Sequence, residues 1–162
     1  MISVEVYNQA VKANTASIAR FLHKSLWDEE AVHDIVQDCF LKLWQHRDKV
    51  SQEKIKSWLF SVAHHAMIDY LAIASRKVKL DDSAHTLQVY QKNEFDTKAI
   101  IEKALNELPP LQKSILLLRD LEGYEYKEIG EILELSEAQV KVYLFRARQK
   151  VKNYIRELTN VL

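Results

Sequence analysis

Glycine, proline and cysteine are scarce in this chain of 162 residues, which has two Gly, two Pro and one Cys. So few Gly and Pro leave little supply for the tight turns that β-hairpins need, and an all-α fold is expected. The single Cys39 cannot close an internal disulfide, which fits a reducing cytoplasm. No apolar run reaches the roughly 18 residues of a membrane span, and the opening Met-Ile-Ser-Val-Glu-Val has no secretory apolar core. No membrane insertion is expected.

A surplus of either charge is missing as well, since 23 Lys and Arg face 23 Asp and Glu. A protein that grips nucleic acid by itself usually has a basic excess, because phosphate neutralisation supplies most non-specific affinity. Either this chain does not bind DNA, or a larger partner supplies much of the electrostatic hold. Also absent are a nucleophile–base constellation, a Gly-rich phosphate loop and metal-ligand spacing, so neither an enzyme, a cofactor nor a small-molecule substrate is expected. The adjacent His64 and His65 do not alter this. Helical neighbours point about 100° apart and cannot chelate one ion as an i, i+4 pair would.

What is present is helical periodicity, strongest over residues 124–156. Tyr126, Ile129, Ile132 and Leu133 recur at helical spacing with Gly130 among them. Glycine in a helix costs roughly 1 kcal/mol relative to Ala, so a close crossing by a second helix is expected there. Ser136 suits the N-cap of that second helix. Val140, Leu144, Ala147, Val151, Ile155 and Leu158 then form one apolar stripe, while Gln139, Lys141, Tyr143, Arg146, Arg148, Lys150, Lys152 and Arg156 occupy other faces. Asp120 to Glu137 holds seven acidic residues and one lysine, whereas Gln139 to Arg156 holds six basic residues and no acidic one. Two helices, a short turn and a basic second helix describe a helix-turn-helix, whose second helix enters the major groove. The bland alternative is a helical hairpin with a solvated basic face, the cations complementing the helix dipole.

Towards the N-terminus, residues 3–26 read as a helix with Tyr7, Val11, Ile18, Phe21 and Leu22 near one face and Asn14 interrupting it. Asp28 suits the N-cap of a helix over 29–46, and Glu29 and Glu30 suit its first turn. Val32, Ile35, Val36, Cys39, Phe40 and Leu43 make its core stripe. Asp34, Gln37, Asp38, Leu41 and Trp44 project elsewhere, as a protein-docking surface would or, equally, with Leu41 and Trp44 packed under a neighbouring helix. After a loop over 47–53, in which Ser51 is a candidate cap, a helix runs from Ile55 to about Arg76. Ile55, Trp58, Leu59, Val62 and Ala66 face inward, and Lys56, Phe60, His64 and His65 lie towards other faces. An exposed Phe60 near cations suits stacking on an unpaired base; the alternative is a core aromatic. Arg76, Lys77 and Lys79 close this unit. Residues 80–96 lack a sustained period and form the linker, with Tyr90 and Phe95 able to touch a neighbouring surface. A helix over 97–107 stops before Pro109, Pro110 opens the next in its first turn, and Gly123 ends that one.

The order of these pieces resembles the extracytoplasmic-function sigma factors of bacterial RNA polymerase. Asp34-Ile-Val-Gln37-Asp38-Cys-Phe40-Leu41-Lys-Leu-Trp44 resembles their polymerase-clamp-binding helix, and Ser57-Trp58-Leu59-Phe60 through Tyr70-Leu71 their −10 melting and recognition helix. Leu105 to Pro109, Leu116 to Arg119 and Glu122-Gly123-Tyr124 resemble the start of their −35-binding domain. Tyr126 to Leu133, Ser136, Val140-Lys141 and Arg146-Ala147-Arg148 match their helix-turn-helix. The chain departs from the family pattern at His65, where Asn is common, at Glu134, where Gly is frequent, and at Val142 and Tyr143, often Ser and Arg. Its basic run after the −10 helix is short.

The resemblance implies an all-α protein of two small helical domains, a polymerase-docking and −10 domain over 1–79 and a −35 domain over 97–162, joined by the linker. It favours docking for Asp34, Gln37, Asp38, Leu41 and Trp44, and assigns Lys56, Phe60, His65, Arg76 and Lys77 to the −10 element. Gln139, Lys141, Tyr143, Arg146, Arg148 and Lys150 fall to the −35 element, Gln139 for a base edge and the cations mainly for phosphate. Core RNA polymerase and promoter DNA are the implied partners, an anti-sigma factor is compatible, and the polymerase performs the chemistry. Three rivals are a free-standing helix-turn-helix regulator with an N-terminal sensor or dimerisation domain, an enzyme, and a polymerase-binding anti-activator.

Overall fold

The computed structural model describes residues 1–80 and 96–160, with side chains described for 1–78 and 96–160. Residues 81–95, including Tyr90 and Phe95, and the side chain of Lys79 lie outside the described residues. Among those described, every regular element is helical.

Capping residues set most of the helix starts. Ser3 accepts from the Val6 amide to open α1 (Val4–His23). Asp28 accepts from the Glu30 and Ala31 amides, at 3.0 and 3.3 Å, to open α2 (Glu29–Gln45). A 3-10 turn, Gln52–Lys54, leads into α3 (Ile55–Leu80). Ser51 takes the N-cap position of that turn, but its hydroxyl makes no capping bond. Asp96 caps α4 (Thr97–Asn106), and Pro110 occupies the first helical position of α5 (Pro110–Leu116), where its missing N–H costs nothing. A π-turn, Leu117–Leu121, continues α5, and Gly123 comes next at φ +77°, a left-handed conformation that ends the helix.

The helix-turn-helix is α6 (Tyr126–Leu133) and α7 (Glu137–Asn160). Glu134 makes the turn at φ 59° and ψ 45°, a left-handed position held here by a residue with a Cβ. The reason for Gly130 differs from the expected helix crossing. A Cβ there would meet the carbonyl oxygen of Leu135 at 2.5 Å, and the Leu135 amide donates back to the Gly130 carbonyl at 2.9 Å. The glycine admits the returning turn rather than the next helix.

The N-terminal helices pack around Ile18, Phe21, Leu22, Val32, Cys39, Leu43 and Leu59, and the C-terminal ones around Ile115, Leu118, Ile129, Ile132, Val140 and Leu144. Burial pushes the Cys39 thiol up to about 12. Asn14, the polar interruption of α1, is buried and donates its amide to the Ala10 carbonyl at 2.9 Å, so it needs no partner outside its helix. The two sets of helices share one core, because α3 is covered on two sides. The α1–α2 layer takes one side and α5–α6 the other. Phe60 joins them, its ring 5.5 Å from Phe21 and 5.7 Å from Tyr124.

Candidate nucleic-acid interface

The face of α2 that periodicity separates from the core is outward. Asp34, Gln37, Asp38 and Leu41 are exposed, with Leu41 at 53%. Trp44 differs. It is half-buried, edge-on to Tyr7 at 5.1 Å and covered by the Arg47 guanidinium at 4.1 Å, so it supports this face from beneath. Between α2 and α3 runs a groove edged by Asp34, Asp38 and Asp69, with His65 on its α3 wall. These carboxylates repel phosphate and suit a cationic protein partner better than DNA.

The residues expected near the −10 element do not share one face. Phe60 and His65 are five positions apart on α3, about 140° around the helix. His65 is exposed, and its Nδ1 donates to the Ser61 carbonyl at 2.7 Å. Phe60 is 0% exposed, which corrects the expectation of an exposed aromatic: it is a core residue here because Tyr124 closes over it. Lys56, one turn earlier, lies 5.2 Å above the Tyr124 ring. Arg76 and Lys77 are exposed near the end of α3.

Several residues of this seam between the two halves escape a reading by periodicity. His64 Nδ1 and Ser114 Oγ share a hydrogen bond at 2.9 Å. Burial first, and then the neighbouring His65 charge, lowers the His64 imidazole from 6.5 to about 4. Lys113 is 5% exposed, with Nζ donating to the Lys24 carbonyl of α1 and to Asn106 Oδ1. Burial lowers its ammonium to about 8. Arg20 pairs with Glu122 at 3.1 Å and Lys54 with Glu131 at 2.9 Å. Burial pushes the Tyr124 phenol up, and its hydroxyl has no partner among the described residues.

On α7 the expected −35 residues are outward except Tyr143, which is half-buried. Ser136 caps the helix by accepting from the Gln139 amide at 3.1 Å, and the Gln139 side-chain carbonyl accepts from the Ser136 amide at 2.9 Å. The Ser-x-x-Gln spacing of this capping box is legible in sequence. It leaves only the NH₂ of Gln139 uncommitted. Arg148 pairs with Asp120 at 2.6 Å, Lys141 with Glu137 at 3.8 Å. No group of three His, Cys, Asp or Glu suited to a metal occurs among the described residues, and no described helix is long and apolar enough to cross a membrane.

Comparison with known proteins finds two family models that match this chain. The model of Sigma-70 region 2 matches residues 10–77, and that of Sigma-70, region 4 matches residues 98–151. The ECF RNA polymerase sigma factor SigM of Bacillus subtilis (strain 168) is 31% identical over 141 residues, which cover 83% of this chain and 86% of that protein. The fold is similar to that of the sigma factor RpoE in its complex with the anti-sigma factor NepR from Bartonella quintana. There the TM-score is 0.76 at 21% identity, covering 94% of this chain and 98% of that one. CnrH in complex with the cytosolic domain of CnrY gives a TM-score of 0.67, also at 21% identity, covering 94% and 96%.

Proposed function

From the premise that the chain belongs to the sigma-70 family, as an extracytoplasmic-function sigma factor, we propose which of its surfaces meet polymerase and which meet promoter. The protein binds core RNA polymerase and directs promoter-specific transcription initiation. Nucleotidyl transfer belongs to the polymerase, and the chain acts in the cytoplasm where that enzyme and the chromosome are.

The polymerase-docking and −10 unit spans 1–79, the linker 80–96 and the −35 unit 97–162. Asp34, Gln37, Asp38 and Leu41 dock on polymerase, with Trp44 holding the face in place. The observation that carries this is an exposed Leu41 set among carboxylates and an amide on a face of α2 that the other described residues leave open. Arg76, Lys77 and Lys56 meet the −10 region, and the outer surface of α7 meets the −35 duplex. Because the C-terminal unit covers Phe60, engagement of Phe60 with an unpaired base requires the seam to open, which the polymerase drives by holding the two units apart. An anti-sigma factor acts as the opposing partner, by competing for these faces.

Co-elution with core polymerase tests the docking face. A Gln37→Ala, Leu41→Ala double variant alters two exposed side chains and keeps the circular dichroism and melting curve of the native chain. We expect at least tenfold weaker binding, since central apolar and hydrogen-bonding contacts of an interface each carry about 1–2 kcal/mol. Native-strength binding would move the docking face elsewhere.

A further inference from the structure

Over its first turns the outermost line of α7 is apolar where a solvent-facing helix is normally polar. Val140, Leu144 and Ala147 form its buried stripe, at 0%, 2% and 0% exposure. At about 100° per residue, the positions farthest from that stripe are Ala138, Val142, Phe145 and Gln149 in the first half of the helix, with Asn153 and Arg156 continuing the line beyond them. Val142 is 48% exposed and Phe145 65%. Cations flank the line on both sides, Lys141 and Lys152 on one and Arg146 and Lys150 on the other. Gln139 stands on the Arg146 flank with its carbonyl already committed to the Ser136 amide.

A helix facing water gains nothing from presenting Val and Phe in line. In a major groove it does gain. The groove walls are phosphate, matching the flanking cations, and of the four bases only thymine carries a methyl group on the groove floor.

We propose that Val142, with Phe145 beside it, reads the 5-methyl group of thymine in the −35 element. Apolar contact thereby takes the place of a hydrogen-bonded base edge in upstream recognition. The inference rests on the assignment of α7 to the −35 duplex. It also gives a role to the Val142 departure from the family pattern, since valine cannot hydrogen-bond a base but offers two methyl groups to a third.

Holoenzyme made from the full chain and core polymerase is offered duplexes randomised across both promoter windows. Enriched duplexes are resynthesised with deoxyuridine at one thymine at a time, which removes the methyl and leaves every hydrogen-bonding group of the base pair. At one or two −35 positions the change is expected to weaken binding about fourfold, the worth of one buried methyl. Val142→Ser should abolish the loss at one of them, and Val142→Thr, which keeps a methyl there, should retain part of it. Both residues are exposed, so these variants fold as the native chain does. Tolerance of deoxyuridine throughout the −35 window would overturn the proposal, as would unchanged sensitivity in Val142→Ser and Phe145→Ala, or an enriched window without thymine. If the −10 window is enriched and the −35 window is not, the assignment of α7 itself fails, and the proposal with it.

Discussion

Acidification should loosen the seam between the two units, and His64 makes the effect calculable. Its ring is buried where α3 meets α5 and bonded to Ser114. Around this seam lie His65 and Lys56 on α3, Arg20 and Lys24 on α1, Lys113 on α5, Glu122 and Tyr124 beyond the π-turn, and Glu128 and Glu131 on α6. None of these carboxylates offsets the burial that lowers His64 from 6.5 to about 4. A histidine lowered in the closed state is neutral there and charged when released below pH 6.5. Its contribution to closure is therefore complete above pH 6.5 and is lost progressively as pH falls towards 4. The full drop is worth about 3 kcal/mol, and between about pH 7.5 and 5.5 the opening equilibrium should rise about tenfold, or about 1.3 kcal/mol. Lys113, lowered to about 8, gives closure a gain as pH rises from 8 towards 10.5 and a constant contribution below 8, so it does not mask this window. Energy transfer between dyes on Gln45→Cys of α2 and Asn153→Cys of α7, tracked through a urea series at each pH, reads the free energy of separating the units. Cys39 is buried with its thiol raised to about 12, so the dyes go to the introduced cysteines. A native chain without pH response in this window, or a His64→Gln variant that keeps the native response, would refute the reasoning.

Two further substitutions probe the helix-turn-helix. Gly130→Ala drives a Cβ against the backbone oxygen of Leu135, which no side-chain rotation can relieve. It should cost about 1–3 kcal/mol in urea unfolding and weaken duplex binding, and a loss below about 0.5 kcal/mol would mean the turn yields freely. Glu134→Gly releases a non-glycine residue from φ 59° and should stabilise the chain by up to about 1 kcal/mol, the left-handed cost less the added chain entropy. A lower melting temperature in that variant would show that the Glu134 side chain contributes more than its backbone conformation costs.

Helix boundaries were legible because they depend on neighbours a few positions away. Asp28 before Glu29-Glu30, Pro110 after Leu108-Pro109 and Gly123 after Leu121 each mark a terminus by local chemistry, and the structure has them there. The stripes of α2 and α7 were legible for a related reason, since each of these helices buries one face and leaves the opposite one outward. The order of motifs then identified the family that the comparisons show.

Helix α3 was legible only in part. Periodicity separated Ile55, Leu59 and Val62 from Phe60 and His64, but a helix buried on two sides carries apolar residues on both, and its own pattern does not say which second face is covered. The answer lay in Ser114 and Tyr124, 50 and 64 positions further on. The same holds for Lys113, whose burial depends on the Lys24 carbonyl, and for Trp44, whose place depends on Tyr7 and Arg47. By itself the sequence determined the helices, the caps at Asp28 and Ser136, the helix-turn-helix and the family, because local backbone chemistry and a single buried stripe suffice for these. Only the tertiary structure decided that the C-terminal unit closes over Phe60 and His64, because that burial is a property of two surfaces meeting and neither is encoded in the residues near the other.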